Sequence, residues 1–179
     1  MSTNGQNTPL ARAELQALIE RSPGPVQAYA RNYPADWDTG RHSHRRAQLV
    51  FATRGMMTVT TQEGLWVVPP QRAVWVPPDI EHALKMHDVV HLRTLYIDPS
   101  CSQHLPRRPR VLAVTPLLRE IILRLMELPA KATTLGRGAR LVEVMLDELQ
   151  AGSAAPLHLP EPRDPRLRRI CTALRQDPA

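Results

Sequence analysis

Residues 65–86, LWVVPPQRAVWVPPDIEHALKM, decide the fold, because they hold three short apolar runs separated by prolines and an aspartate. Proline has no amide hydrogen to give to a helix interior, so these runs cannot merge into one helix. Val and Trp supply many of the apolar positions, and both favour strands. The stretch therefore predicts three consecutive strands joined by turns.

The same pattern continues on both sides of this stretch. Further runs bounded by Gly, Pro or Asp are AQLVFATRG (47–55), MMTVTT (56–61) and VVHLRTLYID (89–98). Strands this closely spaced, with no long helix between them, imply antiparallel pairing. Residues 37–110 are therefore predicted to form a small β barrel or sandwich.

A pair of amphipathic helices is predicted after the β region. Thr115 and Pro116 supply an N-cap and a proline at the first helical position, so one helix should span 116–128. A second is expected at 139–150. Their apolar residues recur at helical spacing and could pack on each other, on the β body or on a second copy of the chain; they are Leu117, Leu118, Ile121, Ile122, Leu125 and Met126, then Leu141, Val142, Met145, Leu146 and Leu149.

The two ends of the chain differ from its centre. Residues 1–36 are rich in Gly, Ser, Asn and Pro and predict a loose arm holding one short helix, with Leu15, Leu18 and Ile19 on one side. Residues 111–152 form the helical region. Residues 153–179 read as a linker followed by one more helical run.

Bulk composition fits one domain with a core, since 42% of the 179 residues are apolar. The net charge of +6 permits contact with nucleic acid without requiring it. Two well-separated cysteines, Cys101 and Cys171, indicate free thiols in a reducing compartment. No window approaches the roughly 18 apolar residues of a membrane span, and the N-terminus does not look like a secretion signal, so we expect a cytoplasmic protein.

The stretch RHSHRRAQLV, residues 41–50, carries the strongest chemical signal. If it is one unbroken strand, side-chain alternation places His42, His44 and Gln48 on one face. His82 follows the proline turn and could converge on the same point. Three imidazoles and an amide oxygen suit a divalent transition metal such as Zn, Ni or Fe, held weakly because no ligand is negative. The alternative is a polar, hydrated barrel interior.

These residues resemble the two motifs of cupins. His42, His44 and Gln48, followed by Gly55, look like the first motif, with glutamine where the metal-binding glutamate usually stands. Pro77, Asp79 and His82 look like the second motif, with aspartate in place of its turn glycine; the leading glycines of both motifs are absent, since residue 36 is Asp and residue 71 is Gln. The resemblance implies a cupin-like double-stranded β-helix, or jelly-roll, barrel.

A closer resemblance covers most of the chain. The strings VVPPQRAVWVPPDIEHALKM, LRTLYIDP and VTPLLREIILRL look like the N-terminal half of AraC-type transcriptional regulators. That resemblance implies a barrel that binds a small effector, a homodimer through helices 116–128 and 139–150, and DNA binding through a C-terminal helix-turn-helix domain. The segment 164–179 resembles the first helix of that domain, and the chain ends before a recognition helix.

Other candidate residues and functions remain open at this point. Arg72 and Trp75 flank the turn before the last strands and could meet an anionic ligand, or be a solvated charge and a core tryptophan. A small metal-dependent cupin enzyme of the dioxygenase or isomerase type is the alternative function, with Glu81 as the one carboxylate beside the histidines. A cupin-like binding protein without a regulatory partner is the third.

Overall fold

The computed structural model describes residues 12–152, 158–160 and 166. Within these residues the chain forms three α-helices, two short 3-10 turns and nine strands. The helices are α1 (Arg12–Glu20), α2 (Pro116–Met126) and α3 (Gly136–Ala151); the strands are β1 (Val26–Tyr33), β2 (Ala47–Phe51), β3 (Met57–Thr61), β4 (Gly64–Val68), β5 (Arg72–Val76), β6 (His82–Met86), β7 (Val90–Ile97), β8 (Arg110–Ala113) and β9 (His158–Pro160).

The strands form two antiparallel sheets. One has the order β1-β7-β2-β5-β8 and the other the order β6-β3-β4-β9. Isolated bridges pair Asp38 with Lys85 and His42 with His82, so the segment that enters β2 in the first sheet also runs along β6 in the second. The predicted class, mainly β and cupin-like followed by a pair of α-helices, is confirmed.

The core is divided between the two faces of the five-stranded sheet. Strand β2 shows this directly, because all five of its residues are buried. Leu49 and Phe51 belong to an apolar cluster shared with α2 and α3, whereas Val50 belongs to a cluster shared with the four-stranded sheet. Alternating side chains therefore pack against the helices on one side and against the second sheet on the other. The fold thus has three layers: helices, five-stranded sheet and four-stranded sheet.

The apolar stripes of the two helices lie against the five-stranded sheet. Thr115 caps α2 as predicted, since its hydroxyl accepts from the Leu118 amide at 3.1 Å. Of the surfaces left open for the two apolar stripes, the β body and the neighbouring helix cover most of them, so the stripes are mostly intramolecular core. The buried helix residues are Leu118, Ile121, Ile122, Leu125, Val142, Met145 and Leu149.

Two strands lie where other structure was predicted. Residues 26–33, assigned to the loose arm, form β1 and pair with β7 along its whole length. Its apolar pattern is interrupted by the polar residues Gln27, Arg31 and Asn32. Pairing with β7 therefore stabilises this strand more than local propensity does. Residues 110–113, at the boundary with the helical region, form β8 beside β5.

The C-terminal region is described only in part. His158–Pro160 forms β9, which pairs with β4 at the edge of the four-stranded sheet. The predicted last helical run and Cys171 lie outside the described residues, apart from Arg166. Cys101 is a free, half-buried thiol. None of the described helices is both long and apolar enough to cross a membrane.

Two glycines at positive φ provide a matched test of packing. Gly55 has φ 84° and Gly136 has φ 64°. A Cβ at Gly55 would lie 2.5 Å from the Val89 carbonyl oxygen, whereas one at Gly136 would meet nothing within 4 Å. Gly136→Ala should cost about 1 kcal/mol from backbone strain alone, and Gly55→Ala about 2 kcal/mol more. Urea unfolding measures both; equal losses would show that the loop around Val89 yields freely.

Candidate metal and ligand site

Backbone pairing brings two of the candidate histidines together. The His42 amide donates to the His82 carbonyl at 2.9 Å, and the His82 amide donates back at 2.8 Å. The two ring centroids are 4.4 Å apart. Residues 41–50 do not form the unbroken strand on which the alternation argument depended, because β2 begins at Ala47 and the histidines precede it. The rings converge because residue 42 pairs with β6 while Gln48 lies in β2.

The proline turn fixes the third histidine. Asp79, which stands in place of the turn glycine, has φ 61°, a conformation that aspartate tolerates better than most residues. Its amide donates to the His44 carbonyl at 3.0 Å. The turn before His82 therefore also holds the backbone of His44.

Each imidazole is anchored through the same nitrogen. Nδ1 of His42 contacts the Gly40 carbonyl at 3.0 Å, and Nδ1 of His82 contacts the Ile80 carbonyl at 2.8 Å. Nδ1 of His44 contacts the Arg46 carbonyl. A carbonyl only accepts, so these contacts place a proton on Nδ1 of each ring, and Nε2 is the ring nitrogen that could bind a metal. Backbone anchoring of this kind is typical of metal-binding histidines.

The orientation of the Gln48 amide follows from its neighbours. The Thr94 hydroxyl donates to the Leu49 carbonyl at 2.9 Å, so it can only accept from Gln48. Gln48 Nε2 therefore lies at Thr94 Oγ1, 2.9 Å away. Gln48 Oε1 is then directed at the histidines, 2.9 Å from Nε2 of His82 and 3.2 Å from Nε2 of His44.

The Gln48 oxygen and the Nε2 lone pair of a neutral His82 are two acceptors that face each other at 2.9 Å. Protonating His82 would supply a donor, but burial, with a contribution from the neighbouring His42 and His44, lowers its pKa to about 3. A cation bound between these atoms satisfies every acceptor at once. One ligand atom from each histidine lies within 4.8 Å of the others, and His44, Gln48 and His82 are buried. The donor set therefore fits a divalent transition metal.

A cavity of about 140 Å³ opens beside these side chains. Helix α1 covers one side through Leu15, Gln16 and Ile19. The cavity is close in volume to engineered protein cavities that hold one benzene molecule. Its other lining residues are Tyr29, Tyr33, Trp37, Asp38, Thr39, His42, His44, Gln48, Leu84, Leu92 and Tyr96.

Two predicted ligand residues lie away from this cavity. Trp75 faces the helices, is 1% exposed, and donates from Nε1 to the Pro106 carbonyl at 2.8 Å. Its residue number is odd, like that of its cross-strand partner Leu49, so it lies opposite the cavity face. Arg72 is half-buried at the start of β5 beside Ala113 and does not line the cavity either.

Sequence reasoning missed much of the cavity wall. Leu15 and Ile19 were placed on a helix in a loose arm, and Tyr29 and Tyr33 were included in that arm. The alternation of tyrosines in VQAYARNY was the available signal, since residues two or four apart in a strand share a face. Tyr96 packs edge-on against His44, and burial raises the pKa of its hydroxyl far above the ordinary value.

A two-sheet β domain with an imidazole-lined cavity belongs to the class of small β domains built around a ligand-sized interior. Residues 24–146 match the family model of the AraC-like ligand binding domain. The chain belongs to this family.

The sequence similarity to a curated transcriptional regulator is consistent with that family. The chain is 37% identical over 141 residues to the HTH-type transcriptional regulator NimR of Escherichia coli (strain K12). The matched region covers 76% of this chain and 50% of the relative. The chain thus spans about half the length of the relative that it matches.

Solved structures show weaker likeness. A cupin superfamily protein of Desulfitobacterium hafniense is 14% identical with a TM-score of 0.40, covering 41% of this chain and 68% of that one. An RmlC-like cupin of Shewanella frigidimarina is 18% identical with a TM-score of 0.39, covering 41% and 66%. Overlaps this limited define no function.

Proposed function

We propose that this chain is the effector-sensing and dimerisation part of an AraC-type transcriptional regulator. A small effector binds in the cavity between the sheets, beside a divalent metal such as Zn, Ni or Fe held by His42, His44, His82 and the Gln48 amide oxygen. The convergence of three imidazoles and an amide oxygen at the wall of the cavity carries the proposal. In that position the metal would supply positive charge and an open coordination position.

The cavity wall supports binding rather than turnover. An enzyme needs an acid or base near the reacting group. Glu81, the carboxylate considered for that role, forms an ion pair with Arg41 at 3.2 Å on the surface. Among the residues described as lining the cavity, Asp38 is the carboxylate, and it lies at the exposed rim. This arrangement favours a sensor over the dioxygenase or isomerase alternative.

Effector binding would change the conformation of the regulator through helix α1. The Gln16 amide donates to the Ser43 carbonyl at 3.4 Å, so this helix touches the segment between His42 and His44. An effector that contacts both the histidines and α1 would bind one position of the helix better than another. Such differential affinity is what a sensor requires to shift its conformational equilibrium.

Dimerisation would use the outward faces of α2 and α3. Their inward faces are already covered, but Leu117 and Val144 are 52% and 40% exposed. DNA contacts would belong to a helix-turn-helix domain, corresponding to the part of the relative that this chain does not span. Nothing in the described residues supplies such a domain.

Metal titration of the purified chain tests the site. After treatment with a chelator, calorimetry should show one Zn per chain. His82→Ala should weaken binding at least about 100-fold, because it removes a buried ligand. His104→Ala removes an exposed histidine outside the site and is the control. Equal affinities of His82→Ala and the unmodified chain would contradict the proposed site.

A further inference from the structure

None of the four candidate ligand side chains can bring a negative charge to a metal. The histidines would bind through imidazole nitrogens, and Gln48 contributes an amide oxygen where a carboxylate would bring one negative charge. A divalent ion at this point would keep its full charge. Gln48 and His82 are 2% and 0% exposed, so solvent screens that charge poorly.

Neighbouring carboxylates do not compensate this charge. Asp38 is exposed at the rim, and its Oδ1 accepts from the Gly40 amide at 2.6 Å. Glu81 is engaged by Arg41. Asp79 is exposed and contributes its backbone amide to His44. None of these three carboxylates is therefore placed to bind an ion between the histidines.

We infer that the effector is a small organic anion whose charged oxygen or nitrogen donor completes the ligand set of the metal, so that anion and metal bind cooperatively. This inference rests on the proposed function. It goes beyond it by assigning the charge of the effector and by giving Gln48 a role: as an amide, it leaves one charge for the effector to supply.

The other residues that line the cavity indicate the size and polarity of the uncharged part of the effector. Leu15, Ile19, Leu84 and Leu92 are apolar, and Trp37 packs against Tyr33 with ring centroids 5.7 Å apart. The space is comparable to one aromatic ring. The effector class is thus a compact, ring-sized anion with its charge at one end, of which benzoate is a convenient probe and benzamide its uncharged counterpart.

Zn titrations of the unmodified chain test this directly. With saturating benzoate, the affinity for Zn should rise roughly tenfold or more, and Zn should raise the affinity for benzoate by the same factor. Benzamide should change the affinity for Zn less than about twofold. Equal effects of benzamide and benzoate, or no effect of either, would overturn the inference while leaving Zn binding itself intact.

Gln48→Glu moves the missing charge into the protein. This variant should bind Zn roughly tenfold or more tightly without any anion, and benzoate should no longer raise its affinity for Zn. Undiminished coupling to benzoate in the folded variant would contradict the inference. If Gln48→Glu does not fold, the benzoate and benzamide titrations of the unmodified chain decide alone. Absence of Zn binding under every condition would overturn both the proposed function and the inference.

Discussion

Ile122→Asp should unfold the protein rather than merely separate two chains. Ile122 is 0% exposed and lies in the cluster that joins α2 to the five-stranded sheet. A carboxylate there loses its hydration and leaves part of the apolar contact unfilled. The free energy of unfolding should fall by about 4 kcal/mol or more. Urea unfolding followed by circular dichroism measures the loss.

Leu117→Asp is the matched control on the same helix. Leu117 is 52% exposed, so this change should leave monomer stability within about 0.5 kcal/mol of the unmodified chain. Sedimentation velocity should show a weakened dimer if the outward face is the interface. A folded, monomeric Ile122→Asp protein of unchanged stability would instead show that the inward stripe is the interface between chains, contrary to the three-layer arrangement.

The metal-free protein should lose stability in mild acid through His82. Burial first, and then the neighbouring His42 and His44, hold the pKa of His82 at about 3, against 6.5 for the same side chain in the unfolded chain. Between these two pH values the unfolded state binds more protons, so stability is complete above about pH 6.5 and falls towards pH 3. The expected loss between pH 7.5 and pH 5 is about 2 kcal/mol.

Urea unfolding at the two pH values, with a chelator present, measures this loss. His82→Asn removes the titrating ring and should remove most of the difference between the two pH values. A difference below about 0.5 kcal/mol in the unmodified chain would show that His82 is readily protonated in the folded protein. The surplus of acceptors around Gln48 would then be relieved by a proton, and the argument for a cation would fail.

The central strands and both helices could be predicted because local signals coincide there. Prolines, glycines and aspartates bound the runs between residues 47 and 97, and Thr115-Pro116 starts α2 where the apolar spacing begins. Strand β1 could not be predicted in this way. Its polar residues look like a loop, and its pairing with β7 involves residues about 60 positions away in the chain.

In the candidate site, too, some features could be predicted from local sequence and others depend on pairing between distant residues. The spacing of His42, His44 and Gln48 pointed to a common centre, although strand alternation was the wrong reason for the histidines. A bridge between residues 42 and 82 produces the convergence, and no local pattern encodes it. Trp75 was a candidate because it lies beside a turn with Arg72, with a core tryptophan as the alternative. Both faces of β5 are buried, so its sequence does not distinguish the face towards the helices from the face towards the cavity.

The most direct measurement is anomalous diffraction from crystals of the Zn-loaded chain, collected on both sides of the zinc absorption edge. The account predicts one peak per chain, bonded to Nε2 of His42, His44 and His82 and to Oε1 of Gln48, at the inner wall of the cavity. A peak at other residues, or no peak at a saturating zinc concentration, would contradict it.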